Sequence, residues 1–482
     1  MFDVRPVGYL VGLMVMAMGL TMALPLLVDI AEGRDHWPVF AESMIVTCLM
    51  GGLVALACRN SVGPGLTIQQ AFLLTTLVWI ALPLFGALPF MLGETRLSFV
   101  DAFFESMSGV TTTGTTIIAG LDELPKGLLL WRGILQWLGG LGIVIVALVF
   151  LPEMRVGGMQ FFRSEGFDTL GKALPRTIDI SKGVLNVYLG LTVICTLSYL
   201  AFGMDTFEAT VHALTTVSTG GFSTSDDSFG AFPGAPQYAA VVFMILATLP
   251  FVRMMQGVHG NIQPLLRDTQ VRTYLRWMGY AFVLVAAYDL ITNGRFAEES
   301  LRERLFNVVS IFSGTGYGDG DVTAWGNFPF IVLIAVGAIG GCTGSTGCAL
   351  KIFRYQLMLR ALGQQARRIF NPSSVMVLRH EGRRVEDEVV QSVMLLFTCY
   401  ILSFGFFSVA LELTGLTLLE SVTAAWTAIF NIGPAFGETV GPTGSLSAFP
   451  TAAKVLMILA MLMGRLEILA VIVLVLPAFW RP

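Results

Sequence analysis

Four stretches of this chain combine glycine with hydroxyl side chains in a pattern suited to holding a bare cation. They are Thr112-Thr113-Gly114, Ser218-Thr219-Gly220, Gly314-Thr315-Gly316 and, more loosely, Gly433-Pro434-Ala435. What these residues offer is oxygen, from threonine hydroxyls and from backbone carbonyls that no side chain shields. An oxygen cage of this kind replaces the hydration shell of an alkali cation. Other chemistries lack their residues. The six cysteines (Cys48, Cys58, Cys195, Cys342, Cys348, Cys399) form no C-x-x-C pair, and the four histidines (His36, His212, His259, His380) are scattered. Neither a zinc centre nor a redox pair is indicated. His212, within an apolar stretch, reads as a packed side chain. No glycine-rich phosphate loop followed by Lys-Ser/Thr occurs, so the chain does not bind ATP in the P-loop manner.

Each stretch follows a segment too short to cross a bilayer and too apolar for water, beginning near Phe99, Thr206, Leu305 and Ser421. Each segment reads as a helix of about ten residues, half a span. Aligning Gly114, Gly220, Gly316 and Ala435 gives spacings of 106, 96 and 119 residues, room for a span, a half-helix and a span. Irregular backbone at membrane depth survives only when buried in protein or facing a water-filled path. Four such loops can converge on one axis, each half-helix pointing the negative pole of its dipole at the cage. Glycine-rich turns between helices would explain one loop, not four in register.

The frame that positions them is read from composition. Of the 482 residues, 55% are hydrophobic and 13% charged, against about 25% charged in soluble domains. Apolar spans are read at 7–30, 38–58, 68–92, 127–151, 183–203, 236–256, 273–291, 327–350, 389–411 and 452–476, about ten crossings of a lipid bilayer. The expected fold is an all-α integral membrane protein: two leading helices (1–66), then repeats at 67–181, 182–270, 271–388 and 389–482. Each repeat is a span, a pore half-helix with a re-entrant loop, and a span. Lys and Arg collect in three loops, Arg155 to Lys182, Arg253 to Arg276 and Lys351 to Arg384. Roughly twenty basic residues fall on that side and eight on the other, which places the basic loops and both chain ends in the cytoplasm.

Two residue groups stand out inside the spans. Gly340, Gly341, Gly344 and Gly347, mixed with Thr343, Ser345 and Thr346, interrupt what would otherwise be one helix over 327–350. That is more than close packing needs; the segment is expected to unwind. Arg465 lies about 14 residues into the last span, where a charge without partner or water costs at least about 2.5–3.5 kcal/mol. Glu467, two residues on, points to another face and is a poor local partner.

Ser313-Gly-Thr-Gly-Tyr-Gly-Asp319 is similar to a potassium-channel filter. With the fourfold repeat in one chain, the sequence resembles the Trk/Ktr/HKT superfamily of potassium-translocating subunits. Ile339-Gly-Gly-Cys-Thr-Gly-Ser-Thr-Gly347, Gly464-Arg-Leu-Glu467 and the closing Pro477-Ala-Phe-Trp-Arg481 resemble its bacterial TrkH branch, and the likeness covers nearly the whole chain. The resemblance implies potassium as the transported ion, a filter at the four stretches, a gate formed by the 340–347 loop and Arg465, and no organic cofactor. It also implies a homodimer in the bacterial inner membrane and a cytosolic TrkA-type nucleotide-binding ring on the basic face. It implies neither nucleic acid nor covalent chemistry. One departure is Ala435, where the family generally has glycine. Either the fourth strand keeps negative φ there, or Gly433 and Gly437 absorb the turn. A proton- or sodium-coupled secondary transporter would need paired acids mid-membrane, and a membrane-embedded metal protease a His/Asp/Glu set. Neither is found.

Overall fold

The computed structural model describes residues 3–61, 66–146, 148, 159, 177–294, 297–371, 377–440 and 444–480. The basic stretch from Arg155 to position 176 lies almost wholly outside the described residues, as does the end of the span read at 127–151. The leading part is α1 (Arg5–Thr21), α2 (Ala23–Ala31) and α3 (Trp37–Cys58). Small residues let α1 and α3 approach closely: a Cβ on Gly12 would lie 2.6 Å from the Gly51 carbonyl and from the Ala55 nitrogen. Dispersion contacts at such short range hold helices together where lipid offers no hydrophobic drive.

Four units follow. The first comprises α4 (Ile68–Gly86), α5 (Leu88–Leu92), the half-helix α6 (Phe99–Val110) and α7 (Lys126–Ile145). The second comprises α8 (Thr177–Ala201), the half-helix α9 (Thr206–Val217), α10 (Ala235–Ala247), α11 (Phe251–Val258) and the short α12 (Gln263–Arg267). The third comprises α13 (Thr269–Asn293), the half-helix α14 (Glu298–Ser313), α15 (Asn327–Gly337) and α16 (Ile352–Phe370), then a small hairpin, β1 (Arg379–His380) with β2 (Arg383–Arg384). The fourth comprises α17 (Asp387–Glu412), the half-helix α18 (Leu418–Phe430), α19 (Thr451–Arg465) and α20 (Leu469–Val475).

Among the described residues, seven helices are long and apolar enough to cross a membrane, and two bent pairs raise the number to nine. The pairs are α10 with α11, bent by 102°, and α19 with α20, bent by 111°. The tenth expected span, 327–350, is α15 of 11 residues followed by irregular backbone from 338 to 351. Its glycines are the cause, with Gly340 and Gly344 at φ +76° and +72°, values an L-residue rarely adopts.

Local signals start the helices where the fold needs them. A capping box opens α4: Gln70 N–H donates to the Thr67 hydroxyl at 3.2 Å and Thr67 N–H to the Gln70 side chain at 2.9 Å. The same corner gathers both ends of the chain. Gln70 Nε2 donates to the Asp3 carbonyl (2.8 Å) and Gln69 Nε2 to the Phe479 carbonyl (2.7 Å), so the two ends lie on one face of the bundle. Half-helices α6, α9 and α18 begin at Ser98, Asp205 and Thr417, whose side chains accept from the first-turn amides.

Candidate functional site

Each half-helix ends on a residue in the left-handed region: Thr112 (φ +51°), Thr219 (+52°), Gly314 (+77°) and Asn431 (+51°). Two residues later a glycine again has positive φ: Gly114 (+83°), Gly221 (+78°), Gly316 (+81°) and Gly433 (+116°). Counting from the helix ends therefore corrects the register read from the sequence. The equivalents of Gly114 and Gly316 are Gly221 and Gly433, not Gly220 and Ala435. The glycine doublet 220–221 and the Pro434-Ala435 pair disguised the alignment. The apparent departure at Ala435 disappears, because Gly433 makes the turn and all four strands carry glycine where L-residues are strained.

These strands close into a ring. A Cβ on Gly114 would strike the Gly220 carbonyl, one on Gly221 the Thr315 carbonyl, and one on Gly316 the Ile432 carbonyl. On Gly433 it would press the Thr113 oxygen at 3.1 Å, which returns the sequence of contacts to the first strand. So Thr113, Gly220, Thr315 and Ile432 contribute one carbonyl each at the same level, and only glycine lets the strands come this near. Oxygens spaced around one axis in this way can take over the hydration of a monovalent cation. The hydroxyls play another part. Thr113 Oγ1 meets Thr111 Oγ1 at 2.7 Å, Thr315 Oγ1 meets Ser313 Oγ at 2.7 Å, and Thr219 donates to the Ser218 carbonyl at 2.7 Å.

The outgoing segment of every strand is held by a polar side chain of its own half-helix, through the backbone in three strands and through the Ser223 hydroxyl in the second. Glu105 accepts from the Thr116 hydroxyl (2.9 Å) and Ile117 N–H (3.0 Å); His212 Nε2 meets Ser223 Oγ at 3.0 Å. Asn307 holds both the N–H and the carbonyl of Asp319, and Thr423 those of Phe436. Glu105, His212 and Asn307 occupy one register position before the glycine, and Thr423 is the residue next to it. Sequence reasoning missed this set because the side chains differ in type; the corrected register is the signal that finds them. His212 is thus buried and packed, with a specific partner. Among the described residues no cluster of His, Cys, Asp or Glu could hold a metal ion.

Beneath the ring lies the irregular segment that follows α15. Hydrogen bonds tie it to the break between α10 and α11: Cys342 N–H donates to the Thr248 carbonyl (3.0 Å), Thr346 Oγ1 to the Ala247 carbonyl (2.9 Å), and Phe251 N–H to the Gly344 carbonyl (3.0 Å). The far end approaches the ring, where Cys348 Sγ lies 3.7 Å from Thr112 Oγ1. Arg465 Nη1 donates to the same sulfur and Nη2 to the Gly139 carbonyl (3.2 Å), with the guanidinium 5.4 Å from the Trp79 ring centroid. Arg465 is buried and, among the described residues, has no carboxylate partner. Arg465 thus meets the end of this loop at Cys348, while Gly341, Ser345 and Gly347 fold together against Thr248.

Comparison with known proteins decides the lineage. The family model for TrkH, described as a cation transport protein, matches residues 36–481. The chain belongs to the TrkH family. A Trk system potassium uptake protein TrkI from Halomonas elongata is 38% identical over 99% of this chain and 97% of its own length. The TrkH protein of Escherichia coli K12, also named a Trk system potassium uptake protein, is 32% identical over 99% of each chain. The crystal structure of the potassium transporter TrkH from Vibrio parahaemolyticus superposes with a TM-score of 0.91 over the whole of both chains at 30% identity. The TrkH family is a transport family, and this chain is a multi-pass membrane transport protein rather than an enzyme.

In this TrkH-family chain Glu467 has its own buried partners. Arg354 Nη2 donates to Glu467 Oε2 at 2.6 Å, and Lys351 Nζ stands 3.8 Å from Oε1. The pair joins the start of α16, just past the irregular segment, to the bend between α19 and α20. There Glu467 and Ile468 both have positive φ, as do Ala349 and Lys351 opposite.

Proposed function

We propose that this protein takes up potassium through a selectivity filter made by the four glycine strands. The observation that supports this best is the closed ring in which Thr113, Gly220, Thr315 and Ile432 each present a carbonyl to the glycine of the preceding repeat, the first repeat facing the fourth. The proposed filter comprises Thr112, Thr113, Gly114, Ser218, Thr219, Gly220, Gly314, Thr315, Gly316, Gly433, Pro434 and Ala435, with Gly221 and Ile432 added by the corrected register. Backbone oxygens carry no net charge, so they favour a weakly hydrated monovalent ion over a divalent one. The relatives named as potassium uptake proteins make potassium that ion. No organic cofactor is needed.

The gate proposed is the loop containing Gly340, Gly341, Gly344, Ser345 and Gly347, together with Arg465. A buried cation on a cation path raises the barrier by an amount set by the local dielectric. The relatives' printed name, Trk system, fits a multi-component assembly. We place both chain ends and the basic loops on the cytoplasmic side of a bacterial inner membrane. A TrkA-type nucleotide-binding ring would dock there on a homodimer.

Uptake of rubidium and of sodium by proteoliposomes carrying the purified protein tests the reading, measured at several pH values. Rubidium uptake well above sodium uptake and indifferent to an imposed pH gradient is the expected result. Uptake that requires a proton or sodium gradient would replace the filter with coupled transport.

A further inference from the structure

One face of α7 runs along the second glycine strand. Arg132, Gln136 and Gly140 are one turn apart and so share that face. Gly140 leaves room for Ser218, since a Cβ there would lie 2.9 Å from the Ser218 Cα. Gln136 Nε2 donates to the Gly220 carbonyl at 2.6 Å, and its Oε1 accepts from Phe222 N–H at 3.0 Å. Arg132 Nη1 donates to the Ser223 carbonyl at 2.7 Å, while its Nε holds Glu105 at 2.9 Å. The helix thus reads the strand from Ser218 to Ser223 rung by rung.

Gln136 is the informative rung. It is fully buried, and a primary amide taken out of water costs free energy unless its bonds are replaced. Its donor and its acceptor both go to one strand. Gly221, with its positive φ, turns the Gly220 carbonyl and the Phe222 N–H toward the same side chain, and a single amide group matches both. The Gly220 oxygen is one of the four carbonyls of the ring. Building on the filter reading above, we infer that Gln136 is a specificity-determining positioning residue. It limits how far the second strand can close on an ion.

A sodium ion is smaller than potassium or rubidium, so a cage must contract to dehydrate it well. Three strands could share that motion, but the second is pinned at both its carbonyl and its amide. The donated hydrogen bond also occupies a lone pair of Gly220 and weakens its pull on a small ion. Both effects disfavour sodium more than rubidium. Arg132 fixes the register of the same strand farther out, so Gln136 acts on distance rather than on alignment.

Rubidium and sodium uptake per folded protein in proteoliposomes provides the test, with Gln136→Leu, Gln136→Glu and Gly221→Ser compared with wild type. Gln136→Leu should lower the rubidium-to-sodium ratio about 3–10-fold, the span set by the loss of one or two net hydrogen bonds. Gln136→Glu keeps the acceptor for Phe222 but turns a carboxylate oxygen on Gly220. Its ratio should fall as rising pH ionises the buried acid and recover on acidification, when the acid regains a proton to donate; a merely structural brace would not produce that recovery. A lowered ratio in Gly221→Ser with wild-type ratios in both Gln136 variants overturns the inference alone. An unchanged ratio in Gly221→Ser overturns the filter reading and this inference with it. If Gln136→Leu does not fold, Gln136→Glu decides: a wild-type ratio from acid through alkaline pH refutes the role, and one that falls as the buried acid ionises sustains it.

Discussion

Asn431 of the fourth half-helix donates from Nδ2 to the hydroxyl of Thr113 in the first strand at 2.8 Å, across 318 positions of sequence. The same amide reaches the Met461 carbonyl of α19 at 3.1 Å. Asn431 tolerates the left-handed backbone that its place requires, and it joins the last repeat to the first. With Thr115 donating to the Gly433 carbonyl at 2.7 Å, the seam is bonded from both sides. The ring is therefore a closed structure, and its dimensions are shared by all four strands.

The corrected register makes the first prediction. Gly433→Ala places a Cβ at φ +116°, at a cost of roughly 1–2 kcal/mol, and against the Thr113 oxygen. The rubidium-to-sodium uptake ratio should fall about tenfold. Ala435→Gly, the change the uncorrected alignment would single out as restoring a filter residue, lies beyond the turn and should move the ratio far less than Gly433→Ala. The opposite pattern would return the fourth filter glycine to position 435.

Much of this was legible in the sequence, for identifiable reasons. Hydrophobic length marks spans, and Gly340 to Gly347 marks the break in one, because glycine-rich backbone departs from a helix wherever it lies. Half-helices α6, α9 and α18 showed themselves through length and the glycine-bearing stretch that follows each. The register of the second and fourth strands did not. It depends on where each half-helix ends, and Asn431 in the left-handed region is an ending that glycine counting overlooks. Gln136 and Trp79 were illegible for a different reason: their partners, Gly220 and Arg465, lie in other repeats, which spacing along the chain cannot reveal.

Arg465→Ala should raise flux about tenfold per folded protein, since a buried unpaired cation is removed from the path. Arg465→Lys keeps the charge without the planar fork, and should conduct like wild type. Selectivity should hardly move in either, because the ring lies above. Loss of folded protein in both variants would make Arg465 a strut instead.

The Arg354–Glu467 pair is predicted to be structural. Glu467→Gln leaves Arg354 and Lys351 buried without their counter-charge, and should cost about 3–5 kcal/mol. Thermal unfolding in detergent reads the loss. Replacing Lys351, Arg354 and Glu467 together by Met should recover most of it, because apolar side chains of similar volume leave no buried charge unpaired. A triple variant no better than Glu467→Gln would show that the ion pair itself is indispensable.

The hairpin of β1 and β2, between the spans, should respond to acid. Burial, aided by the Arg360 guanidinium and opposed by Glu381, pushes the His380 imidazole down to about 4. A depressed folded-state value means the neutral ring is favoured on folding, so its contribution is complete above about 6.5 and fades as pH falls toward about 4. Hydrogen exchange of residues 379–384, corrected for intrinsic rates, should quicken over that window in wild type and stay flat in His380→Gln. Equal acid sensitivity in the two proteins would place the response elsewhere.

The central claim is that bare potassium sits between the four glycine strands. Anomalous diffraction from crystals grown in rubidium or thallium salts tests it most directly. The account predicts peaks on the axis enclosed by the carbonyls of Thr113, Gly220, Thr315 and Ile432, lost when sodium replaces the heavy ion. Heavy-ion peaks only elsewhere in the molecule, with that axis empty, would contradict it.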